Sequence, residues 1–310
     1  MSETAPWAGE LEEALGRRVE SMHLLPGGAS KEAWAVQTDE GRVLVRRAGV
    51  GVIHEATLPL EQEFQVIEAA EEAGVKVPHP VAYLGELGGH EAFAMELIEG
   101  ETIGRRIVRQ PPPGLDLQLA EELAKIHAIP AERLPFLRGG DVLERFVHEL
   151  DSVGEPHPAI EYGLWWLREH RPEPLPMVVS HGDFRLGNIA VSERGLEYVL
   201  DWEFAHLSDP HEDIAWPIVR AWRFGADDRR LGGIGEVGPY LERYVELTGR
   251  SIGEDELLWW EVLGNVKWAT GCLTQCRRHL KGQDRSVEYA VLGRMAAEME
   301  YELLDLIEHV

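Results

Sequence analysis

The chain has 310 residues, 44% of them hydrophobic, enough for one large two-lobed domain or two small ones. Thirty basic residues stand against 55 acidic ones, and the net charge of −25 argues against nucleic acid or an anionic membrane as a partner. Met1 to Gly16 is polar and acidic without an apolar signal core, no apolar run is long enough to span a bilayer, and Cys272 and Cys276 lie four apart on one predicted helix, so reduced thiols in the cytoplasm are expected.

In chain order, residues 1–20 are predicted as a short helix, with Leu11, Leu15 and Val19 at steps of four. His23 to Val36 follows as strand, loop and strand around Gly27-Gly28. Glycines there let backbone amides approach phosphate oxygens, and Ser30 can add a hydroxyl donor; a plain hairpin turn is the alternative. Arg42 to Arg47 is a strand on which Leu44 and Arg46 share one face and Val43, Val45 and Arg47 the other. Leu58 to Ala73 is a helix closed by Gly74, with Leu60, Ile67 and Ala70 on its apolar face. Glu63 lies on that same face, and a carboxylate among buried side chains needs a positive partner, for which Arg46 is the candidate. An edge arginine and a solvated glutamate are the alternatives for this pair.

Val75 to Pro80 is held extended by its prolines, and two strands follow, Val81 to Gly85 and Ala92 to Leu97. Leu115 to His127 is an amphipathic helix, and His127 reads as a packed structural histidine. Val142 to Leu150 and Ala159 to His170 are helical, separated by Gly154, Pro156 and Pro158. Beyond residue 217 helices are predicted over Tyr240 to Thr248, Glu254 to Leu280 and Val287 to Val310, the last with a stripe from Val287 and Val291 through Met299 and Leu303. The ten tryptophans read as core and groove wall, and no internal repeat or independent second domain is evident.

Between these helices lies the stretch that carries chemistry. His181-Gly182-Asp183 is followed by Asn188 five residues after the aspartate, and Asp201 closes a short apolar run, Tyr198-Val199-Leu200. A hydroxyl attacking a γ-phosphate needs a carboxylate to orient it and accept its proton, which suits Asp183. Mg²⁺ wants oxygen ligands and few of them from protein, which suits Asn188 and Asp201. Gly187 makes Phe184 to Asn188 an irregular loop, and two short strands around Ser192 to Gly195 would bring Asn188 and Asp201 to neighbouring strand ends. His181 reads as a loop-holding residue. Asp209, Pro210 and Glu212 read as N-cap, N1 and N3 of a helix with a capping box.

H-G-D-F-R-L-G-N together with L-D-W-E-F-A-H-L-S-D-P-H-E-D-I-A-W resembles the aminoglycoside phosphotransferase family of kinases, and more narrowly the branch fused to acyl-CoA dehydrogenases. The resemblance runs from about Leu24 to Trp216. It implies an α+β, protein-kinase-like two-lobed fold, with a small sheet-rich N-lobe (residues 1–97) and a larger helical C-lobe (98–310). It implies ATP and Mg²⁺ as cofactors: a nucleotide-covering loop at Gly27, Gly28 and Ser30, Arg46 on the α- and β-phosphates and paired with Glu63, and adenine at the main chain of Glu96 and Ile98. Arg46 departs from the lysine of protein kinases, though a guanidinium still supplies charge and bidentate donors. Asp213 is expected to buttress the catalytic loop. Arg185 is expected either to touch the γ-phosphate or to pin the loop.

The expected reaction is therefore transfer of a γ-phosphoryl group to a hydroxyl of a small molecule. A nucleotide-binding pseudokinase is the rival from another class, and Asp183, Asn188, Asp201 and Arg46 speak against it. A protein kinase is disfavoured because Trp202-Glu203 follows Asp201. An aminoglycoside kinase proper would suit the acidic chain. Locally, residues 265–285 hold Lys267, Arg277, Arg278, Lys281 and Arg285 against the single acid Asp284, a net of +4, and follow Trp259-Trp260. That segment favours an anionic hydroxy acid or its acyl-CoA thioester as acceptor; solvated surface charge is the alternative.

Overall fold

The computed structural model describes residues 5–25, 31–49, 57–283 and 286–309. Gly27, Gly28 and Ser30, the expected nucleotide-covering loop, lie outside the described residues.

Helix α1 (Ala8–Leu15) precedes a five-stranded antiparallel sheet. Its strands are β1 (Val19–Leu24), β2 (Lys31–Thr38), β3 (Gly41–Ala48), β4 (Pro80–Leu87) and β5 (His90–Glu96), in the order β1-β2-β3-β5-β4. The expected helix over residues 1–20 is thus too long. Gly16 takes the left-handed conformation at φ 65° and ends α1, and Val19 opens β1. Helix α2 (Leu60–Glu72) lies between β3 and β4 in sequence, and Gly74 follows its end at φ 78°.

The alternation of β3 divides the sheet's two faces. Val43 and Val45 join Trp7, Leu11 and Met22 under α1. Arg47 lies on that face too, with its Nε on the Leu87 carbonyl at 2.8 Å and its guanidinium 5.5 Å from the Trp7 ring. Arg46 points the other way, toward α2. There Leu60, Phe64 and Ile67 meet Phe93 and Met95 in a core that continues into the second lobe.

The second lobe is mainly helical: α3 (Gly104–Arg109), α4 (Leu115–Ile126), α5 (Val142–Val153), α6 (Pro158–Glu169), α7 (His211–Ala215), α8 (Val237–Thr248), α9 (Glu254–Leu280) and α10 (Val287–Glu308). Two small ribbons are set among them. In one, β6 (Val178–Ser180) pairs with β9 (His206–Ser208); in the other, β7 (Ile189–Ser192) pairs with β8 (Gly195–Val199). A second core of Trp216, Trp222, Trp259 and Trp260 binds α5, α6 and α9 together. The stripe predicted on α10 is only half buried: Met299 and Leu303 are inside, whereas Val287 is 81% exposed. Among the described residues no helix is long and apolar enough to cross a membrane.

After β5 the chain passes Gly100 and docks on β7. Glu101 donates its N–H to the Val191 carbonyl at 2.9 Å, and Val191 returns its own to Glu101 at 3.0 Å. A Cβ on Gly100 would stand 3.1 Å from that Val191 carbonyl, so the close approach uses the glycine.

Candidate active site

The candidate catalytic loop leaves β6 and turns at Gly182, whose φ is 79°. A Cβ there would stand 2.3 Å from the Phe204 carbonyl oxygen, so only glycine fits. Asp213 on α7 accepts the N–H groups of His181 at 2.6 Å and Gly182 at 2.9 Å. Burial opposes the charge of Asp213, but the hydrogen bond and charge of His127 outweigh it and hold the carboxyl below its usual range. His127 in turn meets the Tyr244 hydroxyl at 2.8 Å. His181 is fully buried; its Nε2 donates to the Leu200 carbonyl at 2.9 Å and its Nδ1 accepts from the Asp183 N–H at 3.2 Å. Burial pushes its pKa down, so the ring is a neutral tie between the loop and the β7–β8 hairpin.

Three donors converge on the Asp183 carboxylate. Arg185 Nε reaches Oδ1 at 3.0 Å and Trp216 Nε1 reaches the same oxygen at 2.7 Å. Asn188 Nδ2 reaches Oδ2 at 2.6 Å. The Arg185 guanidinium also lies 4.4 Å from the Trp222 ring, so it is engaged on both sides. Leu186 to Asn188 forms a 3-10 turn, and a Cβ on Gly187 would meet Arg185 Nη1 at 2.0 Å.

The hairpin does bring Asn188 and Asp201 together. Ile189 pairs with Val199, and the Leu200 N–H donates to the Asn188 carbonyl at 2.8 Å. Asp201 sits in the left-handed region at φ 65°, unusual for a residue with a side chain. Among the described residues no group of three or more His, Cys, Asp or Glu could hold a metal ion by itself. The donor set nevertheless fits Mg²⁺. Asn188 turns its amino group onto Asp183, leaving its amide oxygen, and Asp201 adds a carboxylate that is 35% exposed; Mg²⁺ takes one or two such oxygens and completes its shell with phosphates and water.

On the N-lobe side, Arg46 places both terminal nitrogens 3.1 Å from Asp201 Oδ1 and lies 3.2 Å from Glu63 Oε1. Burial opposes the Arg46 charge, but Glu63, Asp201 and Glu203 outweigh it and raise its pKa. Burial likewise works against Asp201, and Arg46 and Lys31 overcome it, holding the carboxyl below its usual range. Lys31, which sequence reasoning passed over, bridges Glu63 at 2.6 Å and Glu203 at 2.7 Å. Burial and then the charge of Asp201 push Glu203 upward. Glu96 ends β5; its N–H donates to the His79 carbonyl at 2.8 Å and its carboxylate accepts the Tyr198 hydroxyl at 3.1 Å. Ile98 follows it in the connection between the lobes.

Beside Asp183 a cavity of about 180 Å³ opens between α5 and α9. Phe146, Phe204, Trp216 and Trp268 form its walls, with Arg145, His206 and Lys267 among them. These three side chains surround Glu212, which does not form the expected capping box. Its carboxylate instead meets Lys267 at 3.1 Å, His206 at 3.1 Å and Arg145 at 3.4 Å. Burial disfavours that charge, yet Lys267, His206 and Arg145 hold Glu212 well below the usual range. Asp209 still binds the first turn through the His211 N–H at 2.9 Å. Lys267 donates to the Gly182 carbonyl at 2.6 Å and lies 4.3 Å from the Trp216 ring. Of the basic segment at 265–285, Lys267 is the described cation that lines this cavity; Arg277 turns to the Ser152 carbonyl at 3.0 Å.

An antiparallel sheet lobe over a helical lobe, with a buttressed aspartate loop joined through Asn188 to a strand-end aspartate that meets Arg46 of the sheet lobe, defines a kinase-like small-molecule phosphotransferase. Residues 21–247 match the model of the phosphotransferase enzyme family, and the chain belongs to that family. It is 27% identical over 254 residues to acyl-CoA dehydrogenase family member 10 of Mus musculus, covering 70% of this chain. The chain spans 23% of the length of that relative. Among solved structures, a candidate aminoglycoside phosphotransferase from Ralstonia eutropha JMP134 superposes with a TM-score of 0.78 at 19% identity, covering 97% of this chain and 98% of its own. A spectinomycin phosphotransferase in complex with ADP and spectinomycin gives 0.69 at 15% identity, over 97% and 99% of the two chains. At these identities the likeness establishes the fold.

Proposed function

We propose that the chain transfers the γ-phosphoryl group of ATP to a hydroxyl of a small molecule bound in the cavity beside Asp183. The observation that carries this reading is the position of Asp183. Asp183 lines the cavity, and its carboxylate touches Asn188 at the head of the Asp201 hairpin. The boundary between the lobes falls at residue 97, giving an N-lobe of 1–97 and a C-lobe of 98–310.

In this reading Asp183 orients the acceptor hydroxyl and takes its proton. Asn188 and Asp201 would hold Mg²⁺, which when bound offsets charge on the phosphates. Arg46 grips the α- and β-phosphates, with Glu63 behind it. Gly27, Gly28 and Ser30 cover the phosphates, and the main chain of Glu96 and Ile98 meets the adenine. Arg185 either neutralises the transferred group or fixes Asp183; its two contacts in the structure support the second role. The ADP complex of the spectinomycin phosphotransferase supports nucleotide use.

For the acceptor, the reading is a hydroxy acid or its acyl-CoA thioester rather than an aminoglycoside. The aromatic walls, the cations gathered among them and the likeness to an acyl-CoA dehydrogenase family member support it. The spectinomycin enzyme supports the aminoglycoside alternative. A single-turnover assay with Mg·ATP and a panel of hydroxyacyl compounds and kanamycin-type aminoglycosides decides between them. Turnover of hydroxyacyl compounds is expected. Efficient phosphorylation of aminoglycosides alone would overturn the acceptor, and no phosphotransfer to any hydroxyl would favour a pseudokinase.

A further inference from the structure

Glu63 is fully buried, and a buried carboxylate left without a partner costs several kcal/mol. Kinase-type sites meet this need with one cation, which must also grip the nucleotide. Here the duties are divided. The hydrogen bond on Glu63 comes from Lys31 Nζ, at 2.6 Å from Oε2. Arg46 is near the other oxygen at 3.2 Å, yet among the described residues Oε1 accepts no hydrogen bond. The Arg46 guanidinium is instead aimed at Asp201, with two nitrogens on one oxygen at 3.1 Å.

The sheet register explains how two cations fit beside one carboxylate. Arg46 on β3 stands opposite Ala33 on β2, and Lys31 lies two residues from Ala33 on the same face. The alanine leaves room for both long side chains. Lys31 is 6% exposed and also reaches Glu203 at 2.7 Å, on the far side of the cleft. Its two ion pairs therefore remain whichever way Arg46 points.

We infer that Lys31 is a positioning residue of the nucleotide site: it keeps Glu63 paired, and so leaves Arg46 exchangeable between Asp201 and the phosphates. The inference rests on the nucleotide reading above and deepens it. In the structure Arg46 covers the negative charge of Asp201. When phosphates and metal arrive, Arg46 can leave Asp201 without exposing Glu63 as an unpaired buried charge. If Lys31 were missing, Glu63 would hold Arg46 back, and nucleotide would have to compete for it.

The test is a double-mutant cycle read by equilibrium binding of Mg·ATP and of ADP. Lys31→Met is expected to weaken nucleotide binding by about tenfold. In a Glu63→Gln background the same change is expected to weaken binding by less than about twofold, because no buried charge is left to capture Arg46. That double variant also keeps the measurement possible if Lys31→Met alone does not fold. Lys31→Arg is expected to restore most of the affinity. A purely stabilising role would lower the melting temperature without moving the dissociation constant of the folded protein. An unchanged dissociation constant in Lys31→Met, or an equal loss in both backgrounds, would overturn the inference while leaving the nucleotide reading intact. A wild-type chain that binds no nucleotide would overturn both.

Discussion

Replacing Asp183 with asparagine keeps the shape of the proposed base and removes its charge, and the geometry shows a second effect. An amide has one oxygen where the carboxylate has two. Set at the Oδ1 position, it still accepts from Arg185 at 3.0 Å and Trp216 at 2.7 Å. Its amino group then faces the amino group of Asn188, at a contact now 2.6 Å long. Two donors cannot share that distance, so Asn188 must rotate. Rotation points its oxygen at position 183 and its amino group at the metal side. Loss of the proton acceptor alone is worth about 10²–10⁴-fold in rate. We therefore expect Asp183→Asn to lower the single-turnover rate by at least about 10²-fold and to raise the Mg²⁺ concentration needed for nucleotide binding. Asp183→Ala leaves Asn188 free to keep its oxygen outward, so it should lose rate while its Mg²⁺ dependence stays near wild type. Rapid-quench kinetics and Mg²⁺ titrations of nucleotide binding on both variants supply the comparison. Full activity in Asp183→Asn would refute the base assignment. Identical Mg²⁺ curves for the two variants would refute the amide rotation.

Further outcomes can be stated. Asp201→Ala and Asn188→Ala should both weaken Mg²⁺-dependent nucleotide binding, Asp201→Ala more because it removes charge; metal-independent binding that neither change alters would take both out of the site. Arg185→Met should lower kcat and the melting temperature together, since Arg185 binds Asp183 and stacks on Trp222; a large kcat loss with the melting temperature held would assign it to the γ-phosphate alone. Stability should fall as pH drops below about 6.5. Burial lowers the His181 pKa in the folded chain, so its contribution is full above the unfolded value of about 6.5 and is lost as pH drops toward the folded value. His181→Gln should flatten that slope in melting temperature, and an unchanged slope would exclude His181 as its source.

How much of this could be read from the sequence depends on distance along the chain. Asp183, Asn188 and Asp201 fall within one local stretch, and a single turn and hairpin bring them together, so spacing alone shows their relation. The Arg46–Glu63 proximity could be read because strand and helix periodicity each assign a face. The contacts of Lys31 and Lys267 could not, although Lys267 was already among the cations read toward the acceptor. Lys267 meets Gly182 across 85 positions, and nothing near either residue announces the contact. Trp216 was visible as the end of the second motif, but as one tryptophan among ten it carried no sign of its bond to Asp183. Local rules also misled. The period of four through Leu11, Leu15 and Val19 continues past the glycine that ends α1. The spacing of Asp209 and Glu212 matches a capping box, but Glu212 is drawn to Arg145 on α5, His206 on β9 and Lys267 on α9. In the basic segment Lys267 and Arg277 share α9 without sharing a face, Lys281 follows the helix, and Asp284 and Arg285 lie outside the described residues. Gly271 and Gln275, four and eight residues after Lys267, line the cavity with it, while Arg277 lies ten residues on and reaches Ser152.

The bridge between Glu101 and Val191 fastens the end of the interlobe connection to the hairpin that carries Asn188 and Asp201. The end that carries Asn188 and Asp201 and the far end of the connection are thus parts of one rigid bracket. The freedom left for swinging the sheet lobe lies in the few residues from Glu96 to Gly100. A swing about that short segment changes the width of the cleft but scarcely its length, measured from the main chain at Glu96 to the carboxylate of Asp201. For the nucleotide proposed here, the bracket acts as a fixed gauge. A donor whose reactive phosphate lies one unit nearer to or farther from its base would reach the wrong point beside Asp183, and no closing of the lobes would correct it.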